Sequence, residues 1–405
     1  MKKFYTLLFI LVGFIANAQI VNIPDANFKA KLLQASPSIQ IAKSTAGLWI
    51  KIDANNDGEI QTSEATQVAA LYVNFSSIAS MTGIESFTNL KVLSCYNNAI
   101  TTLDVSMLPL LQELYCYSNS LTSLNVANTA LKRLECQYNF PLSTLNYSGL
   151  EDTLEYFNNN NTAVSSLNFT NFLELKTLII NNFSYYFASL NLNNCPSLEF
   201  INDGNDIYSV SNVSINNCPL LNELKIYGYD VYTSLTISNC SNLQYLNCNQ
   251  LSNSVLNLSS LTSLTSLIVA NSPNLTSLNC STLVNLISLD CSSNALTTLD
   301  VSGLTNLVNL WCQNNQIASL NLTGLFNLQQ LNCSNNQLLS LDLSDCHSIQ
   351  IVDCTNNQII ELFMKNGKQE DIYFAGNPIL LYICTDDNEM TTIQSQVDAL
   401  SYNNC

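Results

Sequence analysis

Charge is scarce in this chain: only 11% of its 405 residues are Asp, Glu, Lys or Arg. Positive charge is scarcest, with 13 Lys and Arg against 30 Asp and Glu, for a net −17. Nucleic acid is therefore excluded as a partner, because phosphate binding needs stripes of Lys and Arg. A weakly charged acidic surface suits divalent cations, basic protein patches or neutral glycans. The single histidine, His347, sits in Asp345-Cys346-His347-Ser348. Neighbours in a turn do not aim their side chains at one point, and no third orienting group accompanies them. No GxSxG, HExxH or phosphate loop occurs, so the chain is not expected to be an enzyme. Long apolar runs are also missing after residue 18. The one at the start, Phe4 to Ile15, follows Lys2-Lys3 and precedes Ala16-Asn17-Ala18. It is too short to span a bilayer and reads as a secretory signal peptide over 1–18. The mature chain would begin at Gln19, carry no membrane span, and be secreted or held at the cell surface.

What the chain has in abundance is a repeat. Leu286, Leu289, Cys291, Asn294, Leu296, Leu299 and Val301 recur as Leu307, Leu310, Cys312, Asn315, Ile317, Leu320 and Leu322. They recur again from Leu328 to Leu343 and from Ile349 to Met364, each time 21 residues on. Apolar residues two apart at the centre of the unit are strand periodicity. One such strand cannot bury its own apolar face. Stacked at roughly 4.8 Å, successive strands build one parallel sheet over a continuous core. The Asn closes the strand, and its amide can bond backbone groups that the bend leaves unpaired. The second half of the unit must return in short extended or 3₁₀ pieces, since little room remains for a helix.

On these residues the sequence resembles the leucine-rich repeat family, in particular secreted bacterial repeats with Cys in the strand. The resemblance runs over residues 84–383. Units starting at Leu90, Leu111 and Leu131 fit well, and those starting at Leu154, Leu175, Leu198, Leu221, Leu243 and Leu264 are looser. The fold class expected is an α/β-type repeat solenoid, mostly β. It would be a curved parallel sheet of about fourteen 21–23-residue repeats with small helical caps, roughly 65 Å along its arc. The domains would be signal peptide 1–18, N-terminal cap 19–83, solenoid 84–383 and C-terminal cap 384–405. The tail from Tyr382 resembles the repeat-domain boundary of larger Bacteroidetes-type proteins, which implies delivery by type IX secretion.

The 15 cysteines suggest a disulfide scaffold until their phase is read. Cys95, Cys116, Cys136, Cys248, Cys291, Cys312, Cys333 and Cys354 share one inward strand position, so they should be buried free thiols that pack as small hydrophobes. Cys195, Cys218 and Cys240 make a second column, which Cys346 extends. Cys384 and Cys405 lie outside both and flank a helix expected over 387–402, with Met390, Ile393, Val397 and Leu400 on one face. A bridge between those two would clamp the C-terminal cap, contributing about 3 kcal/mol by loop entropy.

The N-terminal cap should open with an amphipathic helix from Pro24, with Phe28, Leu32 and Leu33 inward. The segment Asp53 to Glu64 then matches a twelve-residue EF-hand calcium loop. Asp53, Asn55 and Asp57 would supply oxygens, Glu59 its carbonyl and Gln61 a water-mediated contact, with Glu64 bidentate. Gly58 makes the turn, Ile60 anchors the loop, and a helix from Ser63 to Ala70 leaves it. The competing reading is a plain Asp/Asn/Gly turn with a helix cap at Ser63. The calcium would be structural, and the segment before the loop is too short and β-branched for an entering helix.

Residues flanking the strand Leu and Cys should face the concave side. They include Tyr96, Tyr115, Tyr117, Tyr156, Tyr245 and Trp311, with Glu113, Arg133 and Glu135 among them. Aromatics in a row are anchors of recognition surfaces, although strand propensity alone also enriches them. The function expected is non-enzymatic protein binding or adhesion on that face by a monomer. Glycan capture by the same Tyr and Trp, or a spacer role in a larger surface protein, are the alternatives.

Overall fold

The structure, a computed structural model, describes residues 19–180, 187–202, 207–208, 210–227 and 233–399. The expected signal peptide (1–18) and Cys405 lie outside the described residues.

Each repeat contributes one strand of two to five residues to a long parallel ladder. An eight-stranded sheet opens with the antiparallel strand Ala42–Ser44 and continues through Val68–Tyr72, Val92–Ser94, Glu113–Tyr115, Arg133–Glu135 and Tyr156–Asn158 to Phe200–Ile201. A nine-stranded sheet runs from Ile207–Tyr208 to Asp371–Tyr373. Registers keep the repeat in phase. Leu93, Leu114, Leu134, Phe157 and Leu178 form one row, and Leu289, Leu310, Leu331, Val352 and Ile372 another. The return side is extended too, in short parallel ladders such as Thr102–Asp104, Ser123–Asn125 and Thr144–Asn146. The expected mostly-β parallel solenoid of about fourteen turns is therefore what forms, with short extended pieces on the return side.

The core is the stack of these rows. The strand leucines and the eight strand cysteines are buried throughout, and each buried leucine side chain contributes about 1.5–3 kcal/mol relative to exposure. Every described cysteine is a free thiol. Burial pushes the thiols of Cys95, Cys312 and Cys354 up to about 12, with no cation to offset it. Cys195, Cys218, Cys240 and Cys346 are likewise buried.

The repeat asparagines do two jobs. Asn97, Asn314, Asn335 and Asn356 take left-handed backbone, with φ of 52°, 59°, 54° and 55°, which Asn tolerates better than most side chains. The next residue turns inward. Asn315 donates Nδ2 to the carbonyls of Cys291 at 2.9 Å and Cys312 at 3.0 Å, while its Oδ1 accepts from Leu296 N at 3.0 Å. Asn119, Asn336 and Asn357 repeat this pattern on their own turns. The amide thus satisfies the backbone groups left by the bend, as the spacing predicts.

The caps differ in detail from expectation. The first helix is Ala26–Leu33, with Asp25 rather than Pro24 at its start: Asp25 caps Phe28 N at 2.8 Å. Its other oxygen accepts from Ala79 N and Ser80 N at 2.8 and 3.0 Å, tying the helix to the first turn of the solenoid. Phe28 and Leu32 are buried as expected, whereas Leu33 is half-buried. The helix after the loop is a single turn, Thr62–Ala65, not Ser63 to Ala70. Val68–Tyr72 instead pairs in parallel with Val92–Ser94, because a partner edge offers a full ladder of bonds and so short a helix is only marginally stable on its own. The parallel sheet therefore begins inside the segment read as cap. At the other end the helix is Met390–Ala399; Ile393 and Val397 are buried, but Met390 is 56% exposed and off the packed face. Leu400 lies outside the described residues. Cys384 ends the strand Tyr382–Cys384 and is half-buried; Cys405, its expected bridge partner, lies outside the described residues.

Candidate functional site

A strand of pattern x-Leu-x buries its centre and turns both flanks outward. Glu113–Tyr115, Arg133–Glu135, Tyr245–Asn249 and Asn309–Trp311 all show a buried leucine between half-exposed neighbours. The outer face of the long ladder is thus a set of columns filled independently of the core.

In the N-terminal third those columns are aromatic. The rings of Tyr96 and Tyr117 stack at 4.4 Å and 7°. Phe75 meets Tyr96 edge-on at 5.3 Å. Tyr72 lies in the same column as Tyr115, and Trp49 approaches Tyr72 at 5.6 Å. Arg133 joins Tyr156 to Tyr115 on the next turns. Its guanidinium lies 3.7 Å from the Tyr156 ring centre and 6.0 Å from that of Tyr115, and Nε donates to Glu135 Oε1 at 2.7 Å. Tyr115 Oη donates to Glu113 Oε2 at 2.8 Å. Partial burial and that carboxylate push the Tyr115 hydroxyl up to about 12, so it stays a neutral donor. Rings already paired and a guanidinium already held lose little further freedom on binding, which lowers the cost of recognition.

The structure brings together four of the six predicted contact residues, Tyr96, Tyr115, Tyr117 and Tyr156, and adds Trp49, Tyr72 and Phe75. Tyr72 was within reach of sequence reasoning: Leu71 and Val73 continue the Leu and Cys columns one turn upstream. Tyr245 and Trp311 stand apart. Lys225 Nζ lies 5.3 Å over the Tyr245 ring and pairs with Glu223 at 2.8 Å. Trp311 sits between Asp290 and Asn332 in its column. In the same turns, but without Trp311 in its lining, an open groove of about 680 Å³ is lined by uncharged residues, among them Gln244, Thr265, Asn285, Asn306 and Gln329. His347 is an exposed turn residue, stacked on Phe326 at 5.7 Å.

The loop Asp53 to Glu64 is wound by its own side chains. Asp57 N donates to Asn55 Oδ1 at 2.9 Å and to Asp53 Oδ1 at 3.2 Å, and Gly58 N to Asp53 Oδ2 at 3.3 Å. Glu64 closes the ring, accepting from Ala54 N at 2.8 Å and from Gln61 N at 3.0 Å. Gln61 Nε2 and Asn55 Nδ2 both donate to Asp57 Oδ2, at 2.7 and 2.8 Å. The hydrogen bonds from Glu59 N and from the Asn55 amide hold the Asp57 carboxyl below its usual range. Glu59 pairs its side chain with Lys29 at 2.6 Å, Gly58 has φ of 79°, and Ile60 is fully buried. The side chains of Asp53, Asn55, Asp57, Gln61 and Glu64 are linked by hydrogen bonds within the loop, while that of Glu59 turns to Lys29. Among the described residues no three His, Cys, Asp or Glu side chains gather tightly enough to hold a metal ion by themselves. Any cation here would depend on the Asn55 and Gln61 oxygens and on backbone carbonyls as well.

The columns of buried leucine, thiol and amide under an outward-facing parallel sheet define a leucine-rich repeat protein. A family profile described as Leucine Rich repeats (2 copies) matches residues 284–324, two of the most regular turns. Comparison with curated proteins finds no match. Among solved structures, the functional domain of InlJ from Listeria monocytogenes, which includes a cysteine ladder, is 23% identical, covering 90% of this chain and 76% of that one at a TM-score of 0.47. The LRR protein LIC12759 of Leptospira interrogans is 20% identical over 78% of each chain at 0.45. The internalin inlF of L. monocytogenes is 19% identical, covering 92% and 99% at 0.35. Among the described residues no helix is long and apolar enough to cross a membrane.

Proposed function

We propose that the chain is a secreted or cell-surface, non-catalytic binding protein. It acts as a monomer that holds a protein partner against the outer face of its N-terminal turns. The observation that carries this reading is the pre-paired aromatic set around Arg133, with Tyr156 under its guanidinium and Tyr96 stacked on Tyr117. Aromatic and Arg side chains dominate the energetics of protein interfaces, and truncating such an anchor typically costs about 2 kcal/mol or more, about thirty-fold in affinity. The test places a photo-crosslinking residue at Ser118, on the rim of this face, in the mature chain and exposes it to intact cells. Protein adducts that fade in Tyr115→Ala and Tyr156→Ala variants support the reading. No adducts, together with binding to a glycan array that the same variants abolish, would establish sugar capture instead. That second reading is favoured by the uncharged groove lined by Gln244, Thr265, Asn285, Asn306 and Gln329, where amides and hydroxyls would meet sugar hydroxyls.

The loop from Asp53 to Glu64 is proposed to bind Ca²⁺ weakly, roughly 10⁻⁴ to 10⁻³ M as in extracellular modules. Asp53, Asn55, Asp57, Gln61 and Glu64 with the Glu59 carbonyl would be its ligands. Its role would be to stiffen the N-terminal cap against the first turn.

A further inference from the structure

The C-terminal cap hangs on two acids. Glu389 is the residue from which the helix Met390–Ala399 starts: Thr392 N and Ile393 N donate to its carbonyl at 2.9 and 3.0 Å. Its side chain turns back to the solenoid, where Oε1 accepts from Glu370 N at 3.2 Å and Oε2 from Thr385 Oγ1 at 2.9 Å. Glu370 lies against it in the turn before the strand Asp371–Tyr373. Glu370 Oε1 accepts from Asn366 Nδ2 at 3.2 Å, but Oε2 is buried with no partner. The two residues are 7% and 2% exposed.

A buried carboxylate oxygen without a donor is costly, and a second carboxylate beside it makes it more so. Both oxygens of Glu389 are already supplied with donors, and a helix N-terminus favours negative charge there. The vacant oxygen of Glu370 is therefore where a hydrogen belongs. Burial first, and then the charge of Glu389, push the Glu370 carboxyl up to about 7.

We propose that Glu370 and Glu389 form a proton-held latch, closed in acid, which lets the cap helix leave the last turns of the solenoid as pH rises past neutrality. The surroundings supply no alternative counter-charge. Among the described residues neither acid makes an ion pair with Lys365 or Lys368. Asp386 caps Asn366 N and Gly367 N at 3.1 and 2.6 Å, adding negative charge. Cys346 is a buried thiol raised by burial and by Asp345, Asp342 and Glu370, and so is uncharged. His347 stacks on Phe326 and turns Nδ1 to the Asn366 carbonyl at 3.2 Å, not to either acid. The sign follows from a folded value above the unfolded one. The latch is at full strength below about pH 4.5, weakens between there and about 7, and above that holds two buried charges.

The test is hydrogen exchange over 390–399 in the full mature chain at about pH 5.5 and 8.5, corrected for intrinsic rates, with the turns around Leu310 as internal reference. Protection of the helix should fall about ten- to a hundred-fold between the two pH values while the reference holds. The reason is linkage: every tenfold difference in proton affinity between the closed and open cap is a tenfold change in the closing equilibrium once the proton is lost. In Glu370→Gln, whose neutral amide donates to Glu389 at any pH, the helix should be protected equally at both. If the first variant fails to fold, Glu389→Gln removes the neighbouring charge but not the burial of Glu370, and should shrink the pH dependence without abolishing it. Equal protection of the wild type at both pH values overturns the latch. So does a pH dependence that survives in Glu370→Gln, or one that is undiminished in Glu389→Gln. Restored protection at the higher pH on adding calcium alone would mean that a cation rather than a proton joins the pair, which also overturns it.

Discussion

Replacing Asn315 with alanine tests whether the amide ladder or the leucine core sets the stability of a turn. The substitution removes no apolar surface. It strips donors from the carbonyls of Cys291 and Cys312 and the acceptor from Leu296 N, all three inside the core. Each orphaned buried group costs about 1–3 kcal/mol, and partial refilling by water trims the sum to about 3–5 kcal/mol. In a repeat array that loss is local before it is global, so the readout is exchange at the Leu296 amide alongside the urea midpoint. Exchange at Leu296 should accelerate at least a hundred-fold, or about 2.7 kcal/mol. Asn314→Ala, one residue earlier, is the control: the Asn314 side chain makes a long 3.4 Å bond to Ser293, its backbone bond to Ser334 is kept, and the cost is the left-handed backbone, about 1 kcal/mol. Asn315→Asp sharpens the test. A carboxylate facing two carbonyls has its folded pKa raised, so the variant should be least harmed in acid and lose stability as pH rises through that value. If Asn315→Ala costs under about 1 kcal/mol, no more than the control, the ladder is incidental and the reasoning fails.

Three further outcomes follow from the same geometry. The strand thiols, held up to about 12 at Cys95, Cys312 and Cys354, should resist alkylation at about pH 8 in the folded protein, with half-buried Cys384 the first described cysteine to label; mass spectrometry before and after denaturation decides it. Excess calcium should raise the melting temperature of the wild type but not of Asp53→Ala or Glu64→Ala, and equal shifts in all three would remove the loop from the account. Gly83→Ala should destabilise the N-terminal cap by about 1–3 kcal/mol, because φ there is 103° and a Cβ would stand 2.8 Å from the Asn22 carbonyl oxygen; unchanged urea unfolding would refute that.

The period of 21 carried most of the fold on its own because it is a nearest-neighbour code. Leu289, Cys291 and Asn294 each find their partners one turn away, so spacing along the chain is spacing in the core. Where partners come from outside the period, the sequence was silent or misleading. The run after Glu64 reads as helix by local pattern, yet Val68–Tyr72 becomes a strand because Val92–Ser94 offers it an edge. Met390 falls in phase with Ile393 and Val397 but outside the packed face, since the cap covers less than a full helical stripe. The aromatic set was half legible. Columns placed Tyr115 and Tyr156, but the packing of Arg133 between them depends on side-chain rotamers that no spacing records. The Glu370–Glu389 contact, 19 residues apart, arises where the repeat degenerates into the cap.

The amide ladder also gives the molecule a direction. Each inward asparagine repairs the turn before it: Asn315 completes the bend at Leu296, Asn336 that at Ile317, and Asn357 that at Leu338. A turn is finished only when its successor arrives, and Asn377 does this for Ile359. Excising one whole period from the regular stretch would leave every such pair intact, because Asn336 would find the turn of Cys291 as it now finds that of Cys312. Reach, the number of outward columns and the distance between the two caps are then adjustable in steps of one turn without redesigning a single contact.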